Sequence, residues 1–291
     1  MNTASKLAAY GAAVALVAAG AWAVGAAVGP LSAATPQPPP HGAGGAHGGG
    51  DAHGPGEHAL VGLASSANGY SISSPMVGVD GGNFRYTITG PDGEAVTAFE
   101  NSHEKRMHLV VVRRDLVEYQ HLHPEMAPDG TWKIPLSVGR AGVYRAFADF
   151  VPKGGQRQTL GIDLFADGTF QRVEHADSTQ DTVDGYQVTL RGQFPDLTAT
   201  ISRGGVPVTD LEPYLGAYGH LVVLRKGDLP YVHAHPNGTP GDGTTKAGPD
   251  IGFGVEVPSA GTYRLFLDFQ HDGTVRTAEF TMTAGDDHGH G

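Results

Sequence analysis

Residues 108–124 read HLVVVRRDLVEYQHLHP, and residues 220–236 read HLVVLRKGDLPYVHAHP. The two stretches align without a gap and agree at nine of seventeen positions. The same offset of 112 carries Val96-Thr97 onto Val208-Thr209 and Glu100 onto Glu212. Downstream, AGVYRAFADF from Ala141 matches AGTYRLFLDF from Ala260, with seven extra residues in the turn-rich NGTPGDGTTKAGPD of the second stretch. Self-similarity at a fixed offset marks a duplicated unit.

Each copy reads as short strands separated by turn signals such as Pro91-Asp92-Gly93 and Pro128-Asp129-Gly130. In the first copy the strands expected are Phe84–Thr89, His108–Val112, Glu118–His123, Thr131–Leu136, Val143–Phe150 and Thr159–Phe165, with a closing strand near Phe170. In the second they are Tyr186–Arg191, Leu197–Ser202, His220–Leu224, Tyr231–His235, Gly252–Val257, Tyr263–Phe269 and Val275–Thr283. Such strands without a periodic helix predict an all-β fold of two tandem immunoglobulin-like β-sandwich domains. A jelly roll or a small barrel stays open as the alternative.

Working outward, residues 59–176 hold copy one and 182–284 copy two, followed by a His/Asp/Gly tail at 285–291. Residues 35–58 are a Pro-, Gly- and His-rich linker with His41, His47, His53 and His58, a composition that cannot bury a core. Residues 1–34 carry an uncharged run from Leu7 to Val28 after Lys6. That length spans a bilayer as a helix, and the run also reads as a secretory signal with small residues at Ser32-Ala33-Ala34. The anchor is the preferred reading. Either one places residue 35 onward outside the cytoplasm.

The chain of 291 residues has 19 basic and 30 acidic side chains, for a net charge of −11. That balance argues against nucleic acid as a partner. There is no cysteine, so disulfides, thiolate sites and cysteine nucleophiles are excluded. No Gly-x-Ser-x-Gly elbow, phosphate loop or His-Glu-x-x-His helix is present, and the chain is expected not to be an enzyme. Asp149 and Asp268 recur in matching strands, as do Arg145 and Arg264, and a structural Arg–Asp pairing within each repeat is expected.

The 15 histidines carry the chemistry. With Arg113–Leu116 as a four-residue loop, Val112 opposes Val117, Val110 opposes Tyr119 and His108 opposes His121. Opposed residues share a face, and His123, two residues on, shares it too. The same register in copy two gathers His220, His233 and His235. Three imidazoles on one face suit a d-block cation, copper first and zinc next. Met107 beside His108 would favour copper, and His103 would add a further ligand; copy two has Gly219 and Leu215 at those positions. The same face also carries Val110, Val112 and Tyr119, so the competing reading is structural: a β-sandwich module that binds another envelope protein without metal.

At HEKRMHLVVVRRDLVEYQHLHP, DGTWKIPL and AGVYRAFADFVPKGG the chain resembles a group of bacterial envelope proteins with an N-terminal anchor, a His/Gly-rich linker and this domain. The group is associated by name with heavy-metal binding or copper handling. The resemblance covers residues 70 to 282 and implies Met107, His108, His121 and His123 as motif positions. The function expected from these residues is that of a membrane-tethered metal-binding protein, copper first, acting as scavenger, buffer or chaperone.

Overall fold

The computed structural model describes residues 60–75 and 82–285, all within one compact unit, Gly56–Gly291. The expectations for the anchor, the linker and the tail's histidines fall outside the described residues. Among the described residues no helix is long and apolar enough to cross a membrane.

Copy one contributes β1 (Ser66–Ala67), β2 (Tyr70–Ser73), β3 (Asn83–Thr89), β4 (Phe99–Glu100), β5 (His108–Arg113), β6 (Gln120–Leu122), β7 (Glu125–Met126), β8 (Thr131–Pro135), β9 (Gly142–Pro152) and β10 (Gln158–Ala166). Copy two contributes β11 (Gln180–Val183), β12 (Tyr186–Gln193), β13 (Asp196–Arg203), β14 (Val206–Pro207), β15 (His220–Arg225), β16 (Tyr231–Pro236), β17 (Asp250–Val255), β18 (Gly261–His271) and β19 (Thr274–Ala284). In copy one, β1-β2-β3-β8-β7 form one layer and β10-β9-β5-β6 the other, with β4 on β9. In copy two the order β11-β12-β13-β17-β16-β15-β18-β19 runs on without a break, because β16 passes from one layer into the other. Both copies are antiparallel, immunoglobulin-like sandwiches.

The closing strand expected near Phe170 does not form. Phe170 instead lies against the Arg113 guanidinium, 5.1 Å from its ring centroid, a cation–π contact that fastens the segment after β10.

Alternation along β5 decides what each side of the sheet does. Leu109 and Val111 enter the core of copy one with Ile72, Phe84, Tyr86 and Trp132. Val110 and Val112 point the other way, yet are as fully buried. They meet Val222, Leu224, Leu229, Tyr231 and Phe266 of copy two in a third core, which also takes Leu116 and Phe147. A strand buried on both faces reads as a continuous apolar run, which is why residues 109–112 show no polar alternation. The shared core is nearly two-fold symmetric. Tyr119 stacks on Phe266 at 4.2 Å between centroids, and the matching pair Phe147 and Tyr231 sits at 5.6 Å. Each such side chain contributes roughly 1.5–3 kcal/mol when fully buried, so the repeats are joined by a real core.

A short strap closes this seam. Tyr231 donates its backbone N–H to Val61 of the strap, and Gly62 donates to Thr159 of β10. Arg145 donates to the carbonyl oxygens of Gly62 and Leu63. Gly62 has φ +78°, and a Cβ there would lie 2.7 Å from a ring carbon of Phe147. Only glycine fits both the backbone and the space.

The β5–β6 register differs from expectation. Val110 opposes His121 and Leu109 opposes Leu122, a shift of two residues. Arg113 accepts from Leu116 and donates its N–H to Val117, and Glu118, at φ +57°, follows as an extra residue before the ladder begins. In copy two the shift is the same, with Val222 opposite His233 and Leu224 opposite Tyr231. A two-residue slip keeps every side chain on its face, whereas a one-residue slip would have sent the histidines into the core.

Candidate metal centre

His108 opens β5, His121 lies in β6 paired with it, and His123 follows just past the end of β6, all on the face turned toward copy two. One ring nitrogen from each of the three falls within 4.8 Å of the other two. Among the described residues this is the one histidine or carboxylate group so gathered.

Hydrogen bonding fixes which nitrogens are free. His108 Nε2 is 2.8 Å from the carbonyl oxygen of Ser102. A carbonyl only accepts, so Nε2 carries the proton and Nδ1 is a lone pair. His121 Nδ1 is 2.8 Å from Asp268 Oδ2, so it too donates, leaving Nε2 as a lone pair. Those two lone pairs, His108 Nδ1 and His121 Nε2, face each other at 3.0 Å. Two acceptors at that distance need a cation, either a proton or a metal ion. His123 Nε2 is buried without a hydrogen-bond partner. Two nitrogens on one tetrahedral zinc sit roughly 3.3 Å apart, given bonds of about 2.0–2.1 Å.

Burial pushes His108 down to about 4. Burial, with the neighbouring His121 and His108, pushes His123 down to about 3. Both rings are therefore neutral at pH 7, the form that ligates a metal.

The other sequence candidates divide. Met107 does not join the centre: it is 1% exposed and packs in the core of copy one, because a one-residue offset along a strand reverses the face. His103 lies at φ +47° in the Ser102–Lys105 turn, its ring centroid 6.1 Å from His108 and 5.2 Å from His220. It borders the centre from outside the triad. In copy two His220 matches His108, with Nε2 on the carbonyl oxygens of Tyr214 and Leu215, and burial pushes it down to about 4. His233 turns its Nε2 to Thr159 Oγ1 at 3.3 Å, with Asp149 Oδ1 at 3.7 Å. His235 is exposed. These three do not converge as the first three do.

The recurring aspartates have a role that the sequence reading missed. Neither pairs with the recurring arginine of its own repeat. Arg145 binds Asp163, and Arg264 binds Glu279. The reason is register: His108 lies opposite Asp149 and His220 opposite Asp268, so the carboxylates reach the seam between copies. There Asp268 meets His121 and Asp149 approaches His233, each crossing to the other repeat. The signal available in the sequence was their recurrence beside the recurring histidines.

Among solved structures, a protein of Corynebacterium diphtheriae described as membrane anchored is similar at 12% identity, over 76% of this chain and 60% of that one, with a TM-score of 0.23. This chain thus spans about three fifths of that protein's length. The D00-D0 domain of intimin is similar at 12% identity, over 75% of this chain and 100% of that one, with a TM-score of 0.21. A two-domain fibronectin type-III segment of chicken tenascin follows at 10% identity, over 74% and 97%, with a TM-score of 0.20. A search of curated proteins finds no match. A family described as Domain of unknown function (DUF8832) matches twice, at residues 66–164 and 181–286. Those stretches fall on the two repeats, and the chain belongs to that family.

Proposed function

We propose that this chain is an extracytoplasmic metal-binding protein in which His108, His121 and His123 hold one d-block cation. The observation that carries the reading is the convergence of His108 Nδ1 and His121 Nε2 at 3.0 Å, both outer nitrogens being engaged elsewhere, beside the unpartnered His123 Nε2. Each of the first two rings is held by its other nitrogen, on a carbonyl and on a carboxylate, as is usual for metal-bound imidazoles. With Met107 in the core no soft donor remains, and a three-imidazole set suits Cu(II) or Zn(II). Copper stands first by intrinsic affinity. The run Leu7–Val28 would tether the protein to the membrane, and the linker histidines would collect ions for the centre. The role is that of a scavenger, buffer or chaperone.

The test is thermal unfolding of the chain with Cu(II), Zn(II) and Ni(II), set against the metal-free protein. A site that binds metal equally before and after unfolding leaves the midpoint unchanged. A site present only in the folded state adds about 2.7 kcal/mol at 100 times its dissociation constant. For a protein of this size that is a rise of about 5–10 °C. No rise with any of the three ions makes the histidines a structural seal and favours the interaction module.

A further inference from the structure

We infer that Asp268 of the second repeat is a positioning residue for the metal centre of the first, so that the centre is complete only when the two repeats are docked. The inference rests on the metal reading above. His121 and Asp268 lie 147 residues apart in sequence and meet at 2.8 Å, with side chains 6% and 3% exposed. The carboxylate is itself held in place. Thr277 donates to its Oδ1 at 2.6 Å, and the Tyr119 hydroxyl approaches Oδ2 at 3.4 Å. Thr277 belongs to β19 and Tyr119 to the first repeat, so Asp268 is fixed from both sides of the seam.

Such a carboxylate does two things to a ligand imidazole. It holds the proton on Nδ1, which leaves Nε2 as the lone pair facing His108, and it raises the basicity of that lone pair. Here the device comes from a different domain than the three ligands. Metal affinity and docking of the repeats are then one equilibrium: what separates Asp268 from His121 weakens the metal, and bound metal strengthens the seam.

The mirror-image contact shows that docking does not by itself produce this geometry. Asp149 approaches His233 across the same seam, but its Oδ2 is taken by Arg157 at 2.8 Å, and His233 remains 3.7 Å from Oδ1. Asp268 makes no ion pair with an arginine among the described contacts and is left to the imidazole.

Two measurements on the full chain test this. The first is the free Cu(II) or Zn(II) concentration at which the unfolding midpoint begins to rise, in the wild type and in Asp268→Asn. The variant is expected to need 10–100 times more metal, and Asp268→Glu is expected to recover part of the loss. The second uses wild-type protein alone, so it holds even where the variant fails to fold. Long-range proton–nitrogen spectra of the Zn(II)-loaded chain should find His121 protonated at Nδ1 and ligated through Nε2. Equal metal dependence in Asp268→Asn, or ligation of His121 through Nδ1, overturns the inference and leaves the metal reading standing. Absence of any metal-dependent rise in the wild type overturns both.

Discussion

In the first repeat His121 turns Nδ1 to an aspartate across the seam and points Nε2 at His108 Nδ1. In the second, His233 turns Nε2 to Thr159 across the seam, and His220 meets backbone carbonyls rather than a histidine of its own copy. The residues and the strand register are the same in both copies. The difference lies in which ring nitrogen is consumed, and it traces to Arg157. That guanidinium neutralises Asp149, whereas the place two residues before Thr277, matching Arg157's place before Thr159, holds Val275. Asp268 must therefore draw its partner from the other repeat. On the metal reading proposed above, three histidines on one face are not sufficient; the outer nitrogens must be satisfied so that the inner ones converge.

The largest effect expected from this contrast is an all-or-none one. His121→Ala with His123→Ala should abolish the metal-induced rise of the unfolding midpoint while the metal-free fold persists. His233→Ala with His235→Ala should leave the rise in place. Equal losses from the two pairs would mean that both repeats bind metal, and would erase the distinction drawn here.

The shared core supplies the next. Phe266 is fully buried and stacks on Tyr119, and Phe147 is its counterpart. Phe266→Ala should destabilise the chain by about 3–5 kcal/mol, seen as a lower denaturant midpoint. Phe147→Ala should cost about the same if the seam is as symmetric in energy as in geometry. A change of less than about 1 kcal/mol from either would show that the repeats are independent beads. The strap is expected to weigh less. Gly62→Ala should cost roughly 1–3 kcal/mol, because the methyl group meets the Phe147 ring and the backbone is left-handed. Denaturant unfolding reads this change as well.

Much of this was legible in the sequence. The duplication, the all-β class and the sharing of a face by His108, His121 and His123 follow from period-two alternation, which survives a two-residue error in register. Met107 was misread because adjacency in sequence was taken for adjacency in space, although alternation places it opposite His108. The role of Asp268 was not legible, since nothing local to either repeat says that its partner lies 147 residues away. The inequality of the two copies was hidden as well, because it depends on a guanidinium contact rather than on the histidines.

The smallest effect expected concerns protons and sharpens one respect in which the copies agree. His108 and His220 occupy matching positions, each with Nε2 on a carbonyl oxygen, and burial pushes both down to about 4. Their unfolded value is about 6.5. A depressed folded value means that the unfolded chain binds more protons between the two values. The stabilisation is therefore fully present above pH 6.5 and is lost as pH falls toward 4. From pH 7 to pH 6 the loss is on the order of 1 kcal/mol or less per histidine. Metal-free unfolding midpoints should be level above pH 7 and decline below pH 6.5. His220→Gln removes one of the two matched groups and should make that decline shallower. An unchanged decline would show that His220 does not share the buried, neutral state of His108, and the copies would then differ at this position too.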